Sequence, residues 1–250
     1  MHLLDDGQQE TQILTFESFE NLPLRAGFLF DSSASMNRYL AANRSIIRLY
    51  ASRLLRKGVD RAFVMQFGTE RLVTQKWTSN NAAIAAGVAR VGPRGWLLDP
   101  LTAIFDTLYT TCRDEFAKGG EPTGNFILLF SDGEDNASHV YLSEAVDMCQ
   151  RTRTAIYAII NRPKSLRSEG QRTLEELASK TGGHVFFHTE GERVWEDLKT
   201  IEEERRNQYW LVYRPTAFKA DGAFHRIKLS CSVWGAKIGA RSGYYAFARP

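Results

Sequence analysis

Cysteine is scarce in this chain and follows no pattern. The three residues, Cys112, Cys149 and Cys231, are odd in number, far apart and without Cys-x-x-Cys spacing, which argues against a thiolate zinc site and against a dense disulfide framework. They leave the redox compartment open. Histidine is nearly as sparse: of His2, His139, His184, His188 and His225, only His139 falls near a loop of interest. A serine hydrolase needs a base within reach of its nucleophile, and no Gly-x-Ser-x-Gly elbow occurs. No apolar stretch approaches the roughly 20 residues of a membrane span, and Met1 opens no charged segment followed by an apolar run. The chain as it stands is therefore expected to be soluble, with any export signal lying on a longer precursor. Charge of one sign is also missing. Lys and Arg number 32 against 29 Asp and Glu, a net of +3, with no basic block of the kind that marks a nucleic-acid partner.

What is present suffices for one large core or a core with an appendage: 250 residues, 43% hydrophobic and 24% charged. From Gly27 onward, apolar strand-like runs alternate with amphipathic segments. "GFLF" leads to a helix with Ile47, Tyr50, Ala51 and Leu54 on one face; "AFVMQF" follows, then "RLVTQKW" as an edge strand. Further helices contain "NAAIAAGVARV" and Leu101, Ile104, Phe105 and Leu108. They precede "FILLF", and two more helix-strand rounds end at "AIYAII" and "HVFFH". A last helix turns Val194, Leu198 and Ile201 inward. Continuous apolar strands separated by helices predict a doubly wound, mostly parallel sheet with helices on both faces.

Past about Asn207 the pattern changes. "QYWLVYRP" and "FHRIKLSCSV" lack an intervening helix, and in the second Ile227, Leu229, Cys231 and Val233 alternate with polar residues, as in antiparallel sheet with one wet face. The turn-like "DDGQ" before "TQILTF" gives the N-terminus the same character. The expected organisation is a strand-turn segment over residues 1–21, an α/β domain over 22–206 and an antiparallel β extension over 207–250. The two ends are expected to pair.

Ligands of open α/β sheets bind beyond the carboxyl ends of the strands, where strand order reverses. Three loops compete for that place: "DSSAS" after "FLF", "DPLTAIFD" around Thr102, and "SDGEDN" after "FILLF". If the first and third follow neighbouring strands, Asp31 and Asp132 converge, and the hydroxyls of Ser33, Ser35 and Thr102 close around one point. Alone, either serine reads most simply as a helix N-cap, and Thr102 could cap its own helix while still offering a lone pair.

The five residues together, Asp31-x-Ser33-x-Ser35, Thr102 and Asp132-Gly133, resemble the metal-ion-dependent adhesion site of von Willebrand factor type A domains. The resemblance spans roughly Leu22 to Arg206. The tail segments "TGGHVFF", "QYWLVYRP", "FHRIKLSC" and "ARSGYYA" resemble the ending of the exported bacterial branch of that family, which favours an extracytoplasmic or secreted location. The family implies that Ser33, Ser35 and Thr102 bind a cation directly, with Asp31 and Asp132 acting largely through water. It implies a non-enzymatic module recognising a partner protein's Asp or Glu carboxylate. Carboxylates, hydroxyls and water are hard donors suited to Mg2+ or Mn2+.

Two departures from the family stand out. Ala34 replaces a common glycine, and Asp99-Pro100-Leu101 precedes the threonine, so Asp99, Glu134 and Asp135 could add negative charge around the ion. Rival readings are a metal-dependent phosphatase-like hydrolase using Asp31, which would normally want a second carboxylate where Ser33 stands, and a scaffold with a non-functional metal site. His184 and His188 flank "VFF" in a sheet position without further ligands. The sequons "NRS" and "NAS" carry weight only in a secretory context, and Tyr244 and Tyr245 read as packing for the β extension.

Overall fold

In the computed structural model, which describes residues 2–10, 12–92, 101–117, 122–161, 167–188, 194–232 and 238–247, the chain opens with three short strands, β1 (His2–Asp5), β2 (Gln8–Gln9) and β3 (Ile13–Phe19). The α/β core follows: β4 (Leu24–Asp31), α1 (Leu40–Arg53), β5 (Arg61–Phe67), β6 (Arg71–Thr78), α2 (Asn81–Ala89) and α3 (Ile104–Thr111). It continues with β7 (Gly124–Phe130), α4 (Leu142–Arg151), β8 (Ala155–Ile160), α5 (Glu169–Thr181), β9 (Val185–Phe187) and α6 (Val194–Arg206). Strands β10 (Gln208–Tyr213), β11 (Phe224–Ser230) and β12 (Gly243–Tyr245) close it.

Six strands form the central sheet in the order β6-β5-β4-β7-β8-β9. All neighbours are parallel except β5 and β6, so the "RLVTQKW" run lies at the edge as expected and pairs antiparallel. The inner strands are buried on both faces, which is why β7 and β8 show no polar alternation. On one face Phe28, Phe30, Phe126 and Tyr157 pack with Ile47 and Tyr50 of α1, Ile84 and Val88 of α2, and Leu198 and Ile201 of α6. On the other, Leu29, Phe63, Ile127 and Leu129 meet Ile104 and Leu108 of α3, Val146 of α4, and Leu174 and Leu177 of α5.

From β4 the chain winds outward through β5 and β6, then returns to place β7 on the opposite side of β4. Strand order therefore reverses between β4 and β7, and their carboxyl ends flank the crevice where such sheets bind ligands. Register fixes the alignment there: Phe30 pairs with Phe130, their rings stack 4.9 Å apart, and Asp31 and Ser131 emerge side by side.

One disulfide is present, Cys112–Cys149, with Cα atoms 5.0 Å apart. It ties the wide turn that ends α3 to α4 inside the second core layer; Cys231 is free. Nothing in the spacing of the cysteines announced the pair, because only packing of α3 on α4 brings residues 37 apart together.

Both chain ends meet. β1 pairs antiparallel with β11, from His2 opposite Ser230 to Asp5 opposite Ile227. β3 pairs with β10 through Gln208 opposite Phe19 and Leu211 opposite Phe16. The Asp5 carboxylate accepts from the Tyr213 and Tyr244 hydroxyls at 2.7 and 2.9 Å, which fastens the extension, and Tyr245 packs against the second core layer. His184 and His188 bracket β9: the first bonds Glu204 at 2.9 Å and the second faces Asp197 at 3.2 Å. No helix among the described residues is long and apolar enough to cross a membrane.

Candidate metal centre

The first loop begins where β4 ends. Asp31 is buried, at 4% exposure, and both its oxygens are engaged: Oδ1 accepts from the Ser33 N–H at 2.9 Å and Oδ2 from Ser131 Oγ at 2.7 Å. Burial pushes its carboxyl up to about 6, against the opposing pull of these hydrogen bonds; the nearby Asp132 charge pushes it further in the same direction. Ser33 starts a 3-10 turn spanning Ala34–Tyr39 without bonding its amides, so the capping reading of this hydroxyl does not hold. Instead Ser33 Oγ and Ser35 Oγ share a hydrogen bond of 3.2 Å, and Ser35 Oγ donates to Asp132 Oδ2 at 2.6 Å. Ala34 is not among the described non-glycine residues with positive φ, which are Asp6, Asn21 and Arg153, and so replaces glycine without backbone strain.

Thr102 lies two residues ahead of α3, whose N-terminal boundary residue is Ala103, so it does not cap that helix. It is buried and held from both sides of its peptide: its N–H donates to Asn136 Oδ1 at 2.7 Å, and its carbonyl accepts from Asn136 and Ala137. The Ala103 N–H donates to the Gly68 carbonyl just beyond β5. The Asp132 loop is thus lashed to the Thr102 loop.

More bonds extend the lashing along α3. Asp135 Oδ2 accepts from the Phe105 N–H at 3.0 Å, Ser138 Oγ from the Asp106 N–H at 3.1 Å, and Asp106 Oδ1 from the His139 and Val140 N–H groups at 2.8 Å each. Burial alone would raise Asp106, but these amides and the His139 ring hold its carboxyl below the ordinary range. Asp135 thus caps the first turn of α3. Asp99 lies outside the described residues. Glu134 is exposed, and its Oε1 accepts from the Gly170 N–H at 3.3 Å.

Four of the five expected residues, Asp31, Ser33, Ser35 and Asp132, thus form one run of hydrogen bonds across the β4 and β7 loops, and Thr102 is anchored to the loop that carries Asp132. Sequence reasoning missed Ser131, which bonds Asp31 and accepts from the Gly133 N–H at 3.0 Å. It also missed Asn136 and Asp106. The turn-forming composition of "SDGEDNAS" announced a loop, but not which helix the loop would cap.

The fold is a doubly wound α/β domain with a cluster of oxygen-bearing side chains at its switch point. A family model for the von Willebrand factor type A domain matches residues 27–204, and the chain belongs to that family. Proximal thread matrix protein 1 from the mussel byssus superposes with TM-score 0.61 at 18% identity, covering 80% of this chain and 51% of that one. A second structure of the mussel protein, with a zinc-occupied metal-ion-dependent adhesion site, gives 0.57 at 17%, covering 74% and 48%. The conserved hypothetical protein BatB from Bacteroides thetaiotaomicron gives 0.55 at 14%, covering 72% and 96%. At these identities the likeness is one of fold, and the chain spans about half the length of the mussel protein. No curated protein sequence gives a significant match.

Proposed function

We propose that this domain is a non-enzymatic binding module that holds Mg2+ or Mn2+ through Asp31, Ser33, Ser35, Thr102 and Asp132 and recognises an Asp or Glu carboxylate of a partner protein. The observation that carries the reading is the hydrogen-bonded run from Ser131 through Asp31 and from Ser33 through Ser35 to Asp132. Its members are oxygen donors only, as a hard cation prefers, whereas zinc draws more readily on imidazole or thiolate. A buried carboxylate displaced to about 6 is a charge in need of a counter-ion, which a divalent cation would supply. A bound divalent ion would supply an electrophilic centre for an oxygen of the partner's carboxylate. The protein's own hydrogen bonds hold the two acids and two serines together; two carboxylates would balance a divalent charge, and the neutral hydroxyls would add no further negative charge.

Catalysis by Asp31 fits poorly, because both of its oxygens accept hydrogen bonds within the protein and Ser33 stands where a second carboxylate would be wanted. The Ser33 and Ser35 hydroxyls bond each other and Asp132, with no histidine base in that arrangement among the described residues. The buried disulfide and the family's exported branch support an oxidising, extracytoplasmic setting.

Titration calorimetry with MgCl2 and MnCl2 tests the reading. The wild type is expected to bind one equivalent, and Asp31→Ala to lose it while keeping its far-UV circular dichroism. Binding of an acidic partner protein is expected to vanish in EDTA. A wild type that takes up neither ion, or that turns over a phosphomonoester in an Asp31-dependent way, would overturn it.

A further inference from the structure

Helix α5 meets the Asp132 loop through bare backbone. A Cβ built on Gly133, whose φ is +86°, would lie 2.0 Å from the Gly170 carbonyl oxygen. One built on Gly170 would lie 2.4 Å from the Asp132 carbonyl oxygen, 2.8 Å from the Gly133 carbonyl carbon and 2.9 Å from the Glu134 nitrogen. These obstacles are backbone atoms, which cannot swing aside as a flexible side chain would. Gly170 sits in the first turn of a 13-residue helix whose boundary residue Ser168 accepts from the Gln171 N–H at 3.0 Å. Its own N–H donates to Glu134 Oε1, and the Glu134 N–H donates to Asp132 Oδ1 at 3.2 Å. From there the path reaches Ser35 through the 2.6 Å bond to Asp132 Oδ2.

Resting on the cation reading above, we propose that Gly170 is a positioning residue of the cation site. By offering no side chain it lets the first turn of α5 press against the Asp132–Glu134 peptides, and that contact sets where the Asp132 carboxylate stands relative to Ser35. Any added atom at position 170 displaces the Asp132 peptide itself, so the effect reaches the cation ligands before it reaches the core.

The sign of the test is unusual. Within a helix, alanine is more favourable than glycine, so without this contact Gly170→Ala would raise the thermal midpoint and leave cation affinity alone. The expected result is Mg2+ and Mn2+ affinity weakened by roughly 10- to 100-fold, the range for groups that orient metal ligands, with circular dichroism unchanged. A double-mutant cycle with Ser35→Ala gives a readout that a purely structural role would not move. If Gly170 acts through Asp132 and Ser35, the second substitution adds little to the first. Should Gly170→Ala fail to fold, Ser168→Ala loosens the same helical turn without adding an atom and is expected to weaken cation binding.

Wild-type affinity in Gly170→Ala, additive losses in the cycle, or wild-type affinity in Ser168→Ala where the first variant does not fold would each overturn the proposal. A wild type that binds no cation would overturn it together with the cation reading, and that outcome is visible before any variant is made.

Discussion

Asp60 shows how one residue can matter to stability while taking no part in the proposed site. Its side chain is fully buried and accepts from the Leu24 N–H at 2.8 Å, the Arg56 N–H at 2.6 Å and the Arg206 guanidinium at 2.7 Å. Burial would raise its carboxyl, but the guanidinium of Arg206 and the two amides outweigh it and hold the group below its ordinary value. Breaking a buried ion pair from one side costs about 3 to 5 kcal/mol, and Asp60→Asn is expected to lose roughly the lower end of that range because the amide oxygen still accepts. A carboxyl depressed by folding contributes stability that is complete above about pH 4, its unfolded value, and is lost as pH falls through the lower folded value. Urea denaturation at pH 7 and pH 3 should therefore show the wild type losing more stability on acidification than Asp60→Asn. Equal losses would refute the pairing.

At the scale of elements, the informative pair is α3 and α4. Their site ends are fastened by Asp106, Asp135, Asn136 and Ser138, and their far ends by the Cys112–Cys149 disulfide. The closed ring, 37 residues apart along the chain, contains the whole Asp132 loop. Chain-entropy reasoning for a ring of that size predicts about 4 kcal/mol of stabilisation, less any strain. Cys112→Ala/Cys149→Ala is accordingly expected to lower the thermal midpoint clearly. Peptide mapping of the unreduced, alkylated wild type should recover the two cysteines in one linked species, with Cys231 alkylated. Recovery of three alkylated cysteines would show that the bond does not form.

The elements themselves were largely legible. The 3.6-residue apolar repeat in "RSIIRLYAS" and "LSEAVDMCQR" marked helices with one buried face, and the unbroken apolar run "FILLF" marked a strand buried on both. Loop contacts such as Asn136 to Thr102 were not, because they join residues whose spacing in sequence carries no periodic signal.

For the whole molecule, the joined ends set the prediction. β10 and β11 find their partners in β3 and β1, while every strand of the central sheet pairs within residues 24–187. Removal of residues 1–20 should leave the α/β core folded, with retained helical circular dichroism. Amide exchange should quicken selectively in residues 208–213 and 224–230, whose ladder bonds lose their acceptors and donors. Loss of cooperative unfolding instead would mean that the extension is part of the core's own stability.

By itself the sequence determined the alternation of buried strands and amphipathic helices, the change to antiparallel sheet after residue 207, and the five oxygen-bearing residues worth testing, because burial pattern and donor hardness are properties of local composition. Tertiary structure alone decided that β7 lies beside β4, that Ser131 joins the Ser33 amide in engaging Asp31, that Cys112 reaches Cys149, and that Gly170 abuts Asp132. Those outcomes depend on strand order and close packing between distant segments, and neither leaves a trace in the spacing of residues along the chain.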